Sequence, residues 1–322
     1  MTKKTAYLGG TLLLTIILVV GYVSGNQPQR NSVASAAQQL EMVLESRLIN
    51  VGDVSLHVVL AGPEDGEPVI LLHGYPEFWY AWRGPMAALA KAGFRVIVPD
   101  QRGYNLSDKP DDVNAYRLDK LSSDVTGLAD ALGYDTVFLA GHDFGGQVVW
   151  WTLLLHPERV TKAVVINKEH PYAAKDYQAV EDEIDWYVAF LQIPWLPGYI
   201  ARVGNWAVLE KTLRETSLPG TFPDADLDQF RSAWDRGGAI HSMGKWYRAN
   251  MGFDMDVGDA QIVTPTLMII AADDAFTPID LARRNRIFLN EGKVMELETG
   301  THWLIQEEPE LVGQTMTRFF TD

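Results

Sequence analysis

The residues best suited to chemistry lie between positions 136 and 151, TVFLAGHDFGGQVVWW. A β-branched, apolar run from Thr136 to Ala140 reads as a buried strand. Gly141-His142-Asp143-Phe144-Gly145-Gly146 follows, and then an apolar run of helical length. Strand, glycine turn and helix make a nucleophile elbow, which holds one reactive side chain on a strained turn above a sheet. The centre of its G-x-nucleophile-x-G pattern is Asp143, where an acyl-transfer enzyme would carry serine. A carboxylate at that point forms an ester by attacking carbon, so the pattern points away from acyl transfer.

Such a nucleophile needs a base, an acid to orient the base, and donors for a developing oxyanion. His302, in Gly300-Thr301-His302-Trp303, follows the last predicted strand and falls on the same sheet edge as the elbow. Nucleophile, acid, histidine is the chain order of α/β hydrolases. Three carboxylates compete for the orienting role. Asp274 has the D-x-x-x-P spacing to Pro278, Asp273 is its neighbour, and Glu169 follows another strand that ends at the same edge. For the oxyanion, Phe144 offers a backbone N–H at a helix N-terminus. Tyr75, in His73-Gly74-Tyr75-Pro76, offers a second; Pro76 behind it has no N–H and is a candidate for the cis form. His142 reads as structural, packed under the elbow. His57, His156, His170 and His241 show no partner pattern. Neither HExxH nor paired-histidine spacing occurs, so no metal is expected, and no dinucleotide fingerprint or P-loop calls for a cofactor.

The elements that must position these groups alternate along the chain. Strands are predicted over 45–51, 54–61, 69–72, 95–99, 136–140, 163–166, 265–271 and 293–297, with helices over 82–92, 118–132, 283–289 and 309–320. This alternation indicates an α/β fold with a mostly parallel sheet and helices on both faces. Between the sixth and seventh strands the pattern changes to helical segments rich in Trp, Tyr and Pro, read as an inserted helical cap over 170–261. The core is then 37–169 together with 262–322.

The chain has 322 residues, a net charge of −15 and no cysteine. Its acidity repels phosphate backbones, which excludes nucleic acid as a partner. The lack of cysteine excludes disulfides and thiolate catalysis. Residues 1–36 read as a signal or anchor segment and linker, because Lys3 and Lys4 precede an apolar run over 6–23. Ala34-Ser35-Ala36 offers an A-x-A cleavage site. The expectation is an exported protein, either single-pass membrane-anchored with an extracytoplasmic domain, or periplasmic or secreted after cleavage.

His73-Gly74-Tyr75-Pro76-Glu77, with Trp79-Tyr80 and Trp82-Arg83 behind it, resembles the HGxP segment of the α/β-hydrolase-fold epoxide hydrolases. Asp143 in GHDFGG and His302 in GTHW match that family's nucleophile and base, and the similarity runs from about Val51 to the C-terminus. The resemblance implies hydrolysis of an epoxide to a vicinal diol through a covalent ester on Asp143, resolved by water that His302 activates. It also implies two cap tyrosines on the epoxide oxygen, carried over to Tyr187 and to Tyr247 in Trp246-Tyr247-Arg248-Ala249-Asn250. A phenol, with a pKa of about 10, can donate to that oxygen and still be neutral at rest. The aromatic cap suggests an apolar, bulky small-molecule epoxide. The alternative is a haloalkane or haloacid dehalogenase with the same nucleophile and base. Those relatives place Trp or Arg after the nucleophile, and Phe144 supplies neither side-chain donor.

Overall fold

A computed structural model of the chain describes residues 32–173, 186–252 and 255–322. Its centre is an eight-stranded sheet in the order β1-β2-β4-β3-β5-β6-β7-β8. In chain order the strands are β1 (Glu45–Asn50), β2 (Ser55–Ala61), β3 (Pro68–Leu72), β4 (Arg95–Pro99), β5 (Val137–His142), β6 (Val160–Ile166), β7 (Thr266–Ala271) and β8 (Gly292–Leu297). β2 pairs antiparallel with β1 and β4, and every other neighbouring pair is parallel. The interior strands are apolar on both faces because helices cover both. Val69–Leu72 and Leu139–Ala140 are almost wholly buried.

The covering helices follow from local signals. In α3 (Leu118–Leu132), Leu118, Leu121, Val125, Leu128 and Ala129 form one buried stripe at helical spacing. The helix stops at Gly133, whose left-handed φ of +83° costs glycine little. The helix α4 (Phe144–Leu155) is apolar nearly all round and is buried accordingly. Around them stand α1 (Ser32–Leu40), α2 (Arg83–Lys91), α10 (Ile279–Arg284), α11 (Leu304–Glu307) and α12 (Pro309–Thr321).

Two helix positions differ from the expectation. Residues 79–82 form a 3-10 turn before α2. The helix expected over 283–289 is split into α10, which begins directly after Pro278, and a 3-10 turn at Asn285–Phe288. Pro278 fixes φ for an early helix start, and Asn285 turns its side chain inward to the His170 N–H at 2.8 Å.

Between β6 and β7 lie α5 (Trp186–Leu191), α6 (Leu196–Arg202), α7 (Ala207–Glu215), α8 (Asp224–Trp234) and α9 (Ala239–Asn250). Tryptophans fasten this insertion to the sheet layer. Trp234 Nε1 donates to Pro76 O at 2.6 Å, and Trp246 Nε1 donates to Arg102 O at 3.0 Å. A buried indole carries one N–H that needs an acceptor, so each of these side chains both packs and points. Asn250 Oδ1 adds an acceptor for the Leu118 N–H at 3.0 Å.

The expectation of an exported, membrane-anchored or signal-cleaved chain is corrected here. Among the described residues no helix is long and apolar enough to cross a membrane. Ala34-Ser35-Ala36, read from sequence as a cleavage site, lies inside α1 with Ala36 fully buried in the core. Trp79 Nε1 donates to Ser32 Oγ at 3.3 Å and the Tyr80 hydroxyl to Gln39 Oε1 at 3.2 Å, so this stretch is docked, not a linker. The apolar run itself lies outside the described residues.

Candidate active site

The elbow is shaped by what its neighbours lack. Asp143 follows β5 with φ of +51° and ψ of −121°, an unusual backbone state for a residue with a Cβ. The turn closes because a Cβ on Gly145 would stand 2.1 Å from Leu72 O, and one on Gly141 would stand 2.3 Å from Gly145 O. Only glycine fits at either place. The reward is that the Asp143 side chain projects from the C-terminal edge of the sheet, where β3, β6 and β7 also end.

Four of the sequence-derived residues meet there. The Tyr75 N–H donates to Asp143 Oδ1 at 2.9 Å, leaving Oδ2 on the side of His302. His302 Nε2 lies 3.6 Å from Asp143 Oδ2. On its other side, His302 Nδ1 lies 2.9 Å from Asp274 Oδ2 and 3.0 Å from Oδ1. Asp274 is held in turn by the N–H groups of Phe276 and Thr277, at 2.7 and 2.9 Å. The D-x-x-x-P spacing thus encodes a tight turn whose amides face the carboxylate. Glu169 is engaged elsewhere, in an ion pair with Lys168 at 3.3 Å and within 3.4 Å of Thr277 Oγ1.

Aromatic rings cluster beside Asp143. Tyr247, on α9, meets the Phe144 ring edge-on at 4.7 Å between centroids and the Tyr75 ring at 5.4 Å. Phe144 begins α4, so its N–H stands at that helix's N-terminus. The backbone of Tyr187 is in α5, but its side chain lies outside the described residues. The Tyr75–Pro76 peptide is cis. Burial, and then the Asp143 charge, push the Tyr75 phenol well above its ordinary pKa, which keeps it neutral.

Sequence reasoning missed two groups. Lys168 follows the end of β6, and its Nζ lies 5.9 Å from the Phe144 ring centroid. Burial works to raise the pKa of Asp143, yet the charges of His302, Lys168 and His142, with the Tyr75 N–H, hold it below the usual carboxylate range. The signal was available, since Lys168 ends a parallel strand at the edge where such sites gather.

The second group is Glu77, fully buried with His142 beneath the elbow. His142 Nδ1 is 2.9 Å from Glu77 Oε2, and its Nε2 is 2.7 Å from the His302 carbonyl oxygen. Both ring nitrogens face acceptors, as an imidazolium requires. Burial works to lower the His142 pKa, but the Glu77 charge and hydrogen bond raise it on balance. The Gly74 N–H also donates to Glu77 at 3.0 Å. This ion pair therefore ties the Tyr75 loop, the elbow and the loop carrying His302 together. Among the described residues no group of three or more His, Cys, Asp or Glu side chains is placed to hold a metal ion.

The strand order, with a nucleophile elbow at the end of β5 and a histidine after β8, defines an α/β hydrolase. Residues 67–193 match the family described by its alpha/beta hydrolase fold. The chain is 34% identical to the AB hydrolase superfamily protein YfhM of Bacillus subtilis, over 86% of this chain and 98% of that protein. It is 31% identical to Epoxide hydrolase 1 of Caenorhabditis elegans, over 85% of this chain and 70% of the other. A mutant epoxide hydrolase from Bacillus megaterium shares the fold, with a TM-score of 0.77 at 24% identity over 86% of this chain and all of that one. The chain belongs to the α/β-hydrolase-fold epoxide hydrolase family.

Proposed function

We propose that this protein hydrolyses an epoxide to a vicinal diol in two steps, through an ester on Asp143. The observation that carries the reading is a carboxylate at the elbow, pinned through one oxygen by a backbone N–H and facing an imidazole through the other. In the first step Asp143 Oδ2 attacks an epoxide carbon and the carbon–oxygen bond breaks. The departing oxygen takes its proton from a cap phenol, a role assigned to Tyr247 and Tyr187. In the second step His302 Nε2 removes a proton from water, and the hydroxide adds to the ester carbonyl. The Tyr75 and Phe144 N–H groups take the oxyanion charge. Collapse releases the diol, whose alkoxide takes its proton back from His302, and the carboxylic acid left on Asp143 ionises, its proton restoring the cap phenol; Asp274 steadies the imidazolium in between. In this reading residues 170–261 are the cap over a core of 37–169 and 262–322. Carbon–halogen cleavage is not favoured, because neither Phe144 nor Tyr75 has a side-chain donor suited to a departing halide.

His302→Gln tests the scheme. Incubated with an epoxide that the unaltered protein converts to diol, it accumulates an adduct of the substrate's mass on the peptide containing Asp143. An unmodified peptide across a panel of accepted epoxides would overturn the ester, and halide release from haloalkanes without diol formation would overturn the reaction class.

A further inference from the structure

The Tyr75 N–H that holds Asp143 belongs to a peptide group whose oxygen is held as well. Across that peptide, Gly74 O accepts from His73 Nδ1 at 2.9 Å and from the Glu77 N–H at 3.1 Å. A trans peptide is planar with its C=O and N–H opposed, so donors that fix the oxygen also aim the N–H. Each bond accepted at the oxygen polarises the N–H further, and more so away from water. His73, Gly74, Pro76 and Glu77 are all buried.

The His73 ring is set to donate. The Gln101 N–H is bonded to His73 Nε2 at 3.1 Å, so that nitrogen carries the lone pair and Nδ1 the proton. Burial lowers the His73 pKa, which keeps the ring neutral and this tautomer in place. Gln101 Nε2 donates to the His73 carbonyl at 2.6 Å and holds the same residue by its backbone.

The second donor leads out of the sheet layer. The Glu77 N–H belongs to the Pro76–Glu77 peptide, and Pro76 O accepts from Trp234 Nε1 at 2.6 Å. The bonds therefore run in series, from Trp234 Nε1 to Pro76 O, from the Glu77 N–H to Gly74 O, and from the Tyr75 N–H to Asp143 Oδ1. Trp234 ends α8 and is fully buried, so a side chain of the helical insertion reaches the Asp143 carboxylate through two peptide groups. Glycine at 74 permits the close approach, because a Cβ there would stand 2.6 Å from Asp143 Cβ.

We propose that His73 and Trp234 are positioning residues that set the strength and aim of the Tyr75 N–H, one from the end of β3 and one from α8. The inference rests on the ester reading, in which Asp143 Oδ1 becomes the ester carbonyl oxygen and then the oxyanion. An ionised Asp143 shares its charge over two oxygens, whereas the tetrahedral intermediate places a full charge on Oδ1. A stronger donor therefore speeds resolution of the ester and does not speed its formation.

Rapid-quench mass spectrometry on the full chain measures the two steps separately. In Trp234→Phe and in His73→Gln the ester forms at close to the unaltered rate and resolves about tenfold more slowly, part of the roughly 10²–10³-fold lost with a whole oxyanion donor. His73→Asn, whose amide nitrogen can stand at the place of Nδ1, recovers most of that loss. Trp206→Phe removes a neighbouring indole N–H that is bonded to Asp235 at 3.0 Å, outside the series, and leaves both steps unchanged. Equal slowing of both steps, or the same effect in Trp206→Phe, overturns the proposal, and unchanged resolution in either variant strikes out the residue it replaces. In the unaltered protein, NMR of ring-labelled histidine finds the His73 proton on Nδ1 from about pH 5 to about pH 8. A proton on Nε2 overturns the inference whether or not the variants fold. A proton on Nδ1 with no ester in His302→Gln supports the arrangement around Tyr75 and overturns the ester reading.

Discussion

His302 meets Asp274 through Nδ1 at 2.9 Å, and this pairing turns Nε2 toward Asp143. The contact joins the loop after β7 to the loop after β8, and Asp274 is fixed by two backbone amides before it reaches the ring. In the proposed reaction Nε2 is the atom that receives the proton of water, and Asp274 is the group that orients it.

Asp274→Asn therefore impairs resolution of the ester more than its formation. Turnover falls about a thousandfold, as expected when the orienting carboxylate of such a base is neutralised. Rapid-quench mass spectrometry shows the ester building up on the Asp143 peptide. Glu169→Gln, which alters the partner of Lys168 and not that of His302, lets the ester resolve at close to the unaltered rate. An ester that persists in Glu169→Gln and not in Asp274→Asn would reverse the assignment.

Lys168 is expected to set the pH range in which Asp143 is ionised. The pKa of Asp143 is depressed, so the reactive carboxylate persists at high pH and is lost as pH falls through that lowered value. Lys168→Met removes a cation that opposes protonation, so the acid limb of kcat/KM moves upward by on the order of one pH unit. Lys168→Arg returns it. A limb that does not move in Lys168→Met would remove Lys168 from the account.

His170 makes the fold acid-sensitive. It is fully buried, stacked on Phe288 at 4.3 Å, and accepts a hydrogen bond from the Tyr172 N–H at Nδ1. Its Nε2 is buried without a hydrogen-bond partner, and burial lowers its pKa to about 3. The unfolded chain takes up this proton near pH 6.5 and the folded chain only near pH 3. Its contribution to stability is thus full above pH 6.5 and is lost as pH falls toward 3. His170→Phe keeps the stacking and flattens the fall of Tm with pH between 6.5 and 4, a difference of a few kcal/mol at the acid end. Parallel acid-melting curves for the two proteins would contradict this.

Much of the architecture was legible because its signals are local. The parallel strands are continuous apolar runs, and α3 carries a regular buried stripe closed by Gly133. The elbow was legible because its glycines are steric necessities, and a necessity leaves its mark at fixed spacing. The segment over 32–40 was not legible. Serines, alanines and glutamines resemble a linker until Ala36 is seen buried and Ser32 and Gln39 are seen bonded to Trp79 and Tyr80, more than forty positions away. The split of the helix after Pro278 was hidden for the same reason, since Asn285 turns inward to satisfy His170.

The sequence by itself determined the order of elements and the family, and it marked Asp143 as the candidate nucleophile, because each depends on residue type at short spacing. Tertiary structure alone decided which carboxylate meets His302. Asp274 and Glu169 both end strands at one sheet edge, and only side-chain direction separates a partner at 2.9 Å from one engaged with Lys168. It alone brought the charge of Lys168 to bear on Asp143. Charge acts through space, and the distances it depends on do not exist until the chain has folded.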